Sequence, residues 1–332
     1  MKSSQRKTLQ TVLLILAPIL VLGFSLFIGR YPHPIWMNPA ILNEDVMAQR
    51  LLLNLRMPRV ITAMLLGMSL SAAGGVMQML FRNPLVEPGF LGVSQGAGFG
   101  AALCIVFLTN NPLVVEGMAT IFAILGLILS YFFARRMRYG GWLLRLVLAG
   151  IAVSALFSAG LGILKYVADP NSQLQEIVFW LLGGLYAVTW RSLFYILPVV
   201  IIGLVVIFLM RWRLNLLSLE DETAFSLGVS VGRERTLLLA AAVTITAVVI
   251  SVAGIVGWVG LIVPHIARRL TGANAANFIP LSISLGGIFA VLCDDLARTL
   301  MAGEIPLGII TSLLGAVIFI FLMVKPNLKV RQ

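Results

Sequence analysis

Apolar residues in this chain run in long blocks, and the polar residues are confined to the gaps between them. The blocks lie at about 9–29, 60–80, 91–108, 118–134, 146–165, 192–210, 236–256, 258–267, 276–296 and 306–324. A helix needs about 20 predominantly apolar residues to cross a bilayer. The pattern therefore predicts an all-α polytopic membrane protein with about ten transmembrane helices. The block at 258–267 is too short to cross lipid unaided and is expected to be enclosed by its neighbours. The first block follows MKSSQRK. It is too long for the apolar region of a secretory signal and ends in no small-residue cleavage site, so it is read as a retained span.

Three gaps carry information. Residues 30–58, with Pro32, Pro34, Pro39 and Pro58, form an extended segment on one side of the membrane. Residues 211–235 form the largest loop on the other. Within it Ser218 precedes LEDETAF, which predicts a helix over about 219–227 capped by Ser218, with acidic residues in its first turn and Gly228 as its stop. Such a helix is either a solvated loop element or a docking element for a soluble partner. The third gap, FRNPLVEPGFLGVSQGAGFG, spans 81–100. Its two prolines predict a turn over Phe81–Pro88. Gly92, Gly96 and Gly100 then recur every four residues, which predicts one helix face that packs closely on another backbone.

Composition supports the membrane reading. Of 332 residues, 60% are hydrophobic and 11% charged, against about 25% charged in a soluble domain. The net charge of +11 would suggest nucleic acid in a soluble protein, but no domain remains to hold a basic groove. The charge sits instead in clusters between spans. With ten spans, 17 of the 24 basic residues fall on the side of the termini and seven on the other. By the positive-inside rule both termini are cytoplasmic. The exception is the outer group Arg50–Arg59. Asp294 and Asp295 stand one turn before Arg298, where i,i+4 and i,i+3 pairing is expected.

Several chemistries are missing. No lysine follows a glycine, so there is no Walker A phosphate loop. GAGFGA lacks the last glycine of a dinucleotide loop and any preceding strand pattern. Cys104 and Cys293 lie inside apolar blocks, as packing residues. His33 and His265 fall on opposite sides of the membrane and form no metal pair. No span carries a catalytic set, so neither an enzyme, a metal site nor a cofactor is expected. Asn38-Pro39-Ala40 and Asn83-Pro84-Leu85 are similar to the paired turns of water channels, but both lie in the first third of the chain, which rules out a symmetric pore.

Three blocks resemble one family closely: RMPRVITAMLLGMSLSAAGGVMQMLFRNPLVEPGFLGVSQGAGFGAAL (56–103), AGIVGWVGLIVPHIARRLTG (253–272) and CDDLARTLMAGEIPLGIITSLLGAVIF (293–319). They are similar to the FecCD-type permease subunits of ATP-binding-cassette (ABC) importers for iron siderophores, haem or cobalamin, the cobalamin permease included. The resemblance implies a type II importer permease fold over 1–332, a homodimer in the inner (cytoplasmic) membrane, two ATPase subunits below and a periplasmic binding protein above. Residues 30–58 would be periplasmic and 211–235 the cytoplasmic coupling loop. It assigns ATPase coupling to Leu219, Glu220, Asp221, Glu222, Ala224, Leu227 and Gly228. Arg56, Arg59 and Arg298 would receive glutamates of the binding protein. Asn83, Leu85, Leu143 and Leu144 would form a cytoplasmic gate. Ser154 and Ser158, with Gly160 and Gly162, would give the fifth span a small, weakly polar face toward the cargo path. A stand-alone secondary transporter or channel is the alternative, but it requires an acidic or half-helix coupling site in mid-membrane, and no acidic residue lies in mid-span.

Overall fold

In the computed structural model the described residues are 2–31, 35–301 and 303–324, with side chains described from Val12 onward. The expectations for His33 and for the basic residues at both ends of the chain lie outside the described side chains. Thirteen α-helices are present among the described residues: α1 (Lys2–Ser25), α2 (Val46–Arg50), α3 (Met57–Leu80), α4 (Val93–Phe107), α5 (Pro112–Arg136), α6 (Trp142–Val167), α7 (Gln173–Leu182), α8 (Trp190–Leu217), α9 (Asp221–Ser226), α10 (Val231–Ala253), α11 (Val259–Thr271), α12 (Ala275–Thr299) and α13 (Leu307–Val324). A two-residue antiparallel ladder pairs Ile28 with Trp36 and Gly29 with Ile35.

Each of the ten apolar blocks holds a helix. By length and composition seven of these can cross a membrane: the continuous run Val46–Leu80, α5, α6, α8, α10, α12 and α13. The part of α1 with described side chains, Val12–Ser25, and α4 are shorter, and α11 has 13 residues.

The first of the seven begins earlier than its hydropathy suggests. Asp45 caps α2, accepting from the backbone N–H groups of Met47 and Ala48, and the helix runs on through a π-helical stretch, Leu51–Arg56, into α3. Pro58 was expected to mark the end of a loop. It sits instead directly after this widened stretch, where a residue that lacks an N–H and crowds the preceding turn is tolerated.

The interior is built around α3, which packs against α8, α10, α11 and α12. Small residues bring the backbones together. A Cβ on Gly74 would stand 1.9 Å from the Gly260 carbonyl oxygen, and one on Gly67 equally close to that of Gly286. The helices α4, α5 and α6 form a second group. Here the four-residue glycine spacing does what it predicts. Gly96 faces the Phe122 carbonyl and Gly100 that of Met118, so α4 lies against the α5 backbone. Gly92 adopts φ +83° and turns the chain from a 3-10 segment, Pro88–Leu91, into α4.

Between α10 and α11 the chain is unwound over 254–257. Gly254 and Trp258 have positive φ. The backbone around it is enclosed by protein: Gly184 N–H donates to the Ala253 carbonyl, and a Cβ on Gly254 would stand 2.1 Å from the Trp180 carbonyl oxygen. Irregular backbone at membrane depth requires such enclosure. The outer faces of α8 and α13 are apolar and exposed, as at Ile202, Leu209, Leu313, Val317 and Phe321. Cys104 and Cys293 are free and buried.

Candidate functional site

One end of the helix bundle carries the short helix expected as the coupling element. The leucine-rich α8 continues to Leu217, beyond the basic residues that were expected to end it, because Leu214 and Leu217 are buried. Ser218 is therefore the last cap of α8, its hydroxyl bonded to the Asn215 carbonyl, and not the first cap of α9. The cap of α9 is Glu220, without a side-chain bond, so the helix covers Asp221–Ser226 and leaves Leu219 and Glu220 outside it. Asp221 and Glu222 occupy the first turn, and Gly228, φ +78°, ends the element. Ala224 and Val229 anchor it as buried residues. Leu219, Phe225 and Leu227 point outward, with Phe225 75% exposed.

Two arginines fasten this element to the bundle. Arg235 on α10, itself buried, donates to both Asp221 oxygens at 2.7 and 3.3 Å. Arg82, in the turn after α3 with φ +50°, donates to the Leu219 carbonyl and lies 3.9 Å from Asp221. The hydrogen bond from Arg235 holds the Asp221 carboxyl below its ordinary value, and the charges of Arg235 and Arg82 add to the effect.

The same turn contains Asn83, whose side-chain oxygen accepts from Leu85 N–H at 2.9 Å. Asn83 is exposed, as is Leu85 at its tip. Just before the turn, Gln78 donates to the carbonyls of Gly260 and Leu261 and accepts from Arg268. The coupling element, the turn and the start of α11 are thus joined by consecutive side-chain contacts. His265 on α11 has a buried Nε2 without a partner.

On α6, Leu144 and Ser158 are exposed, while Leu143 and Ser154 are half-buried. Gly162 faces open space, but a Cβ on Gly160 would meet the Phe99 ring at 2.7 Å. Gly160 therefore belongs to the packed side of α6 and not to the small, weakly polar face.

At the opposite end the three outer arginines are engaged within the chain. Arg59 is bonded bidentately to Glu304, at 2.7 and 2.8 Å, and lies within 2.9 Å of Asp294. Arg298 contacts Asp294 and Asp295, as their spacing predicts, and donates to the Ser25 hydroxyl and carbonyl and to the Ile28 carbonyl. Ser25 in turn donates to Asp295 at 2.6 Å. Arg56 donates to the carbonyls of Leu26 and Tyr31. Asp294, Asp295, Arg56 and Arg298 are all buried, so this network ties α1 and the hairpin to α3 and α12. Its outermost member is Glu304, whose side chain is 43% exposed. Sequence reasoning missed Glu304 and Arg235, which carry no motif and become partners only through the fold. Among the described residues no cluster of three or more His, Cys, Asp or Glu is placed to hold a metal ion.

The chain is 36% identical over 320 residues to the molybdate import system permease protein MolB of Haemophilus influenzae, covering 95% of this chain and 94% of that one. It is 40% identical over 282 residues to the hemin transport system permease protein HmuU of Yersinia pestis, covering 82% and 83%. A structure described as an inward-facing conformation of a metal-chelate type ABC transporter superposes with a TM-score of 0.86 at 35% identity, over 94% of this chain and 97% of that one. The class is therefore the permease subunit of an ABC importer. The chain belongs to the FecCD transport family, which matches residues 14–325.

Proposed function

We propose that this permease works as a homodimer in the inner membrane, with ten spans and both termini cytoplasmic. In this reading it passes a metal chelate, a ferric siderophore, haem or cobalamin, from a periplasmic binding protein to the cytoplasm. The fuel is ATP hydrolysed by two partner subunits. The observation that carries the reading is α9: a short helix outside the bundle with an exposed Phe225, held by Arg82 to the turn at the end of α3 and by Arg235 to α10. A helix that only covered the bundle would turn its aromatic residue inward. Here Phe225 and Leu227 are free to enter an ATPase cleft, and Arg82 passes a displacement of α9 to the turn holding Asn83 and Leu85. Leu143 and Leu144 complete the gate, and Ser154 and Ser158 face the path between two copies.

The outer arginines take a modified part. Arg298 and Arg56 are held by internal partners and shape the receiving face. Arg59 is the one whose outer partner, Glu304, is exposed and exchangeable for a carboxylate of the binding protein. Co-purification tests the coupling half of the proposal. The ATPase subunit is expected to be retained by the wild-type permease and lost with Phe225→Asp. Retention with Phe225→Asp and with Leu227→Asp would refute it.

A further inference from the structure

Away from these elements, the start of α5, α7 and the end of α10 line a half-open cleft of about 160 Å3. Two carboxylates line it, Glu116 and Glu176, together with Phe179, Trp180 and Tyr186. No lysine, arginine or histidine does so. Glu116 is 7% exposed. One of its oxygens accepts from the Ser192 hydroxyl at 2.7 Å, while the other, Oε2, is buried without a partner. A buried acceptor left unpaired is costly, and a buried charge more so unless a counter-charge or donor reaches it. Among the described residues that line it, two carboxyl groups and three aromatic rings therefore stand together without a basic side chain.

We propose that this cleft binds a small organic cation bearing an alkylammonium group. Its charge is met by Glu116 and Glu176, and its methyl or methylene shell by Trp180, Tyr186 and Phe179. Aromatic faces attract such cations through the ring quadrupole, tryptophan most strongly. Aromatic walls favour an organic ammonium over a hard metal ion, which demands several oxygen ligands in close geometry. The volume fits a ligand of this size, since a cavity of about 150 Å3 holds one benzene ring. The proposal does not rest on the transport reading, because binding is measured without ATP or partner subunits.

The test uses the purified full-length chain in nanodiscs, with choline as the probe and its uncharged isostere 3,3-dimethyl-1-butanol as the control, both read by calorimetry. Choline is expected to bind saturably and at least ~10-fold more tightly than the neutral isostere, the factor a single desolvated cation–aromatic contact supports. Glu116→Gln and Glu176→Gln should each weaken choline by a similar factor while leaving the isostere unchanged. Glu176 lies on the half-exposed α7, so its variant remains informative if Glu116→Gln disturbs folding. Equal binding of choline and the isostere would overturn the proposal. So would choline affinity that survives the double variant, or a divalent cation that binds there more tightly than choline.

Discussion

Arg59 stands between two carboxylates of different standing. Asp294 is buried and also touches Arg298, so removing it leaves the buried Arg298 and the half-buried Arg59 short of a partner. Breaking a buried pair from one side costs about 3–5 kcal/mol, and Asp294→Ala is expected to lower thermal stability in detergent accordingly. Glu304 is exposed, and a pair of that kind contributes about 0–1 kcal/mol. Glu304→Gln should leave stability nearly unchanged and release Arg59. Docking of the binding protein, measured by surface plasmon resonance at low salt, is then expected to strengthen; weaker docking would show that Glu304 belongs to the receiving face. At the opposite end, the contact of Asp221 with Arg235 depends on pH. Its carboxyl is held below the ordinary 3.8. The contact's contribution is therefore fully present above that value and is lost as pH falls through the lowered one. Anchoring of α9, followed by a fluorophore at Phe225→Cys, should loosen only under such acidic conditions, and Asp221→Asn should abolish the dependence.

At the scale of elements, the seam between α4 and α5 was legible because glycines at four-residue spacing have few other uses in an apolar helix. Its energetic content follows from the distances. A side chain at Gly96 meets the Phe122 carbonyl at 2.4 Å, an atom that cannot move aside. Gly96→Leu should force the two helices apart and reduce the folded yield sharply, measured by size-exclusion chromatography. The same change at Gly162, which faces open space, should not. Other elements escaped the sequence for physical reasons. The ten residues of α7 follow a proline and mix polar with apolar positions, too short and too polar for a span. The extension of α3 back to Val46 depends on a π-helical stretch before Pro58, and hydropathy carries no signal for one. The end of α8 was misplaced because Arg211 and Arg213 read as an exit from the membrane, although Leu214 and Leu217 behind them are buried. That error also produced the wrong cap for α9.

For the whole molecule, the membrane class and the helical architecture followed from the lack of charge, and the family from three blocks of residues. The short helix α9 was legible as acidic residues before a glycine. What fastens it, Arg82 and Arg235, was not, since arginines at loop ends are read first as orientation signals. The outer arginines show the same limit. Their position was visible, as was the pairing of Arg298 with Asp294 and Asp295, but the engagement of Arg59 by Asp294 and Glu304 depends on residues more than 200 apart in sequence coming together. The central claim is that this chain is a conduit driven by a partner's ATP hydrolysis. The most direct test is uptake of labelled ferric siderophore and haem, with molybdate for comparison, into vesicles holding this permease with its ATPase and binding protein. The account predicts uptake of a metal chelate only when ATP and both partners are present, and its loss with Phe225→Asp. Uptake by this chain alone, without ATP, would contradict it.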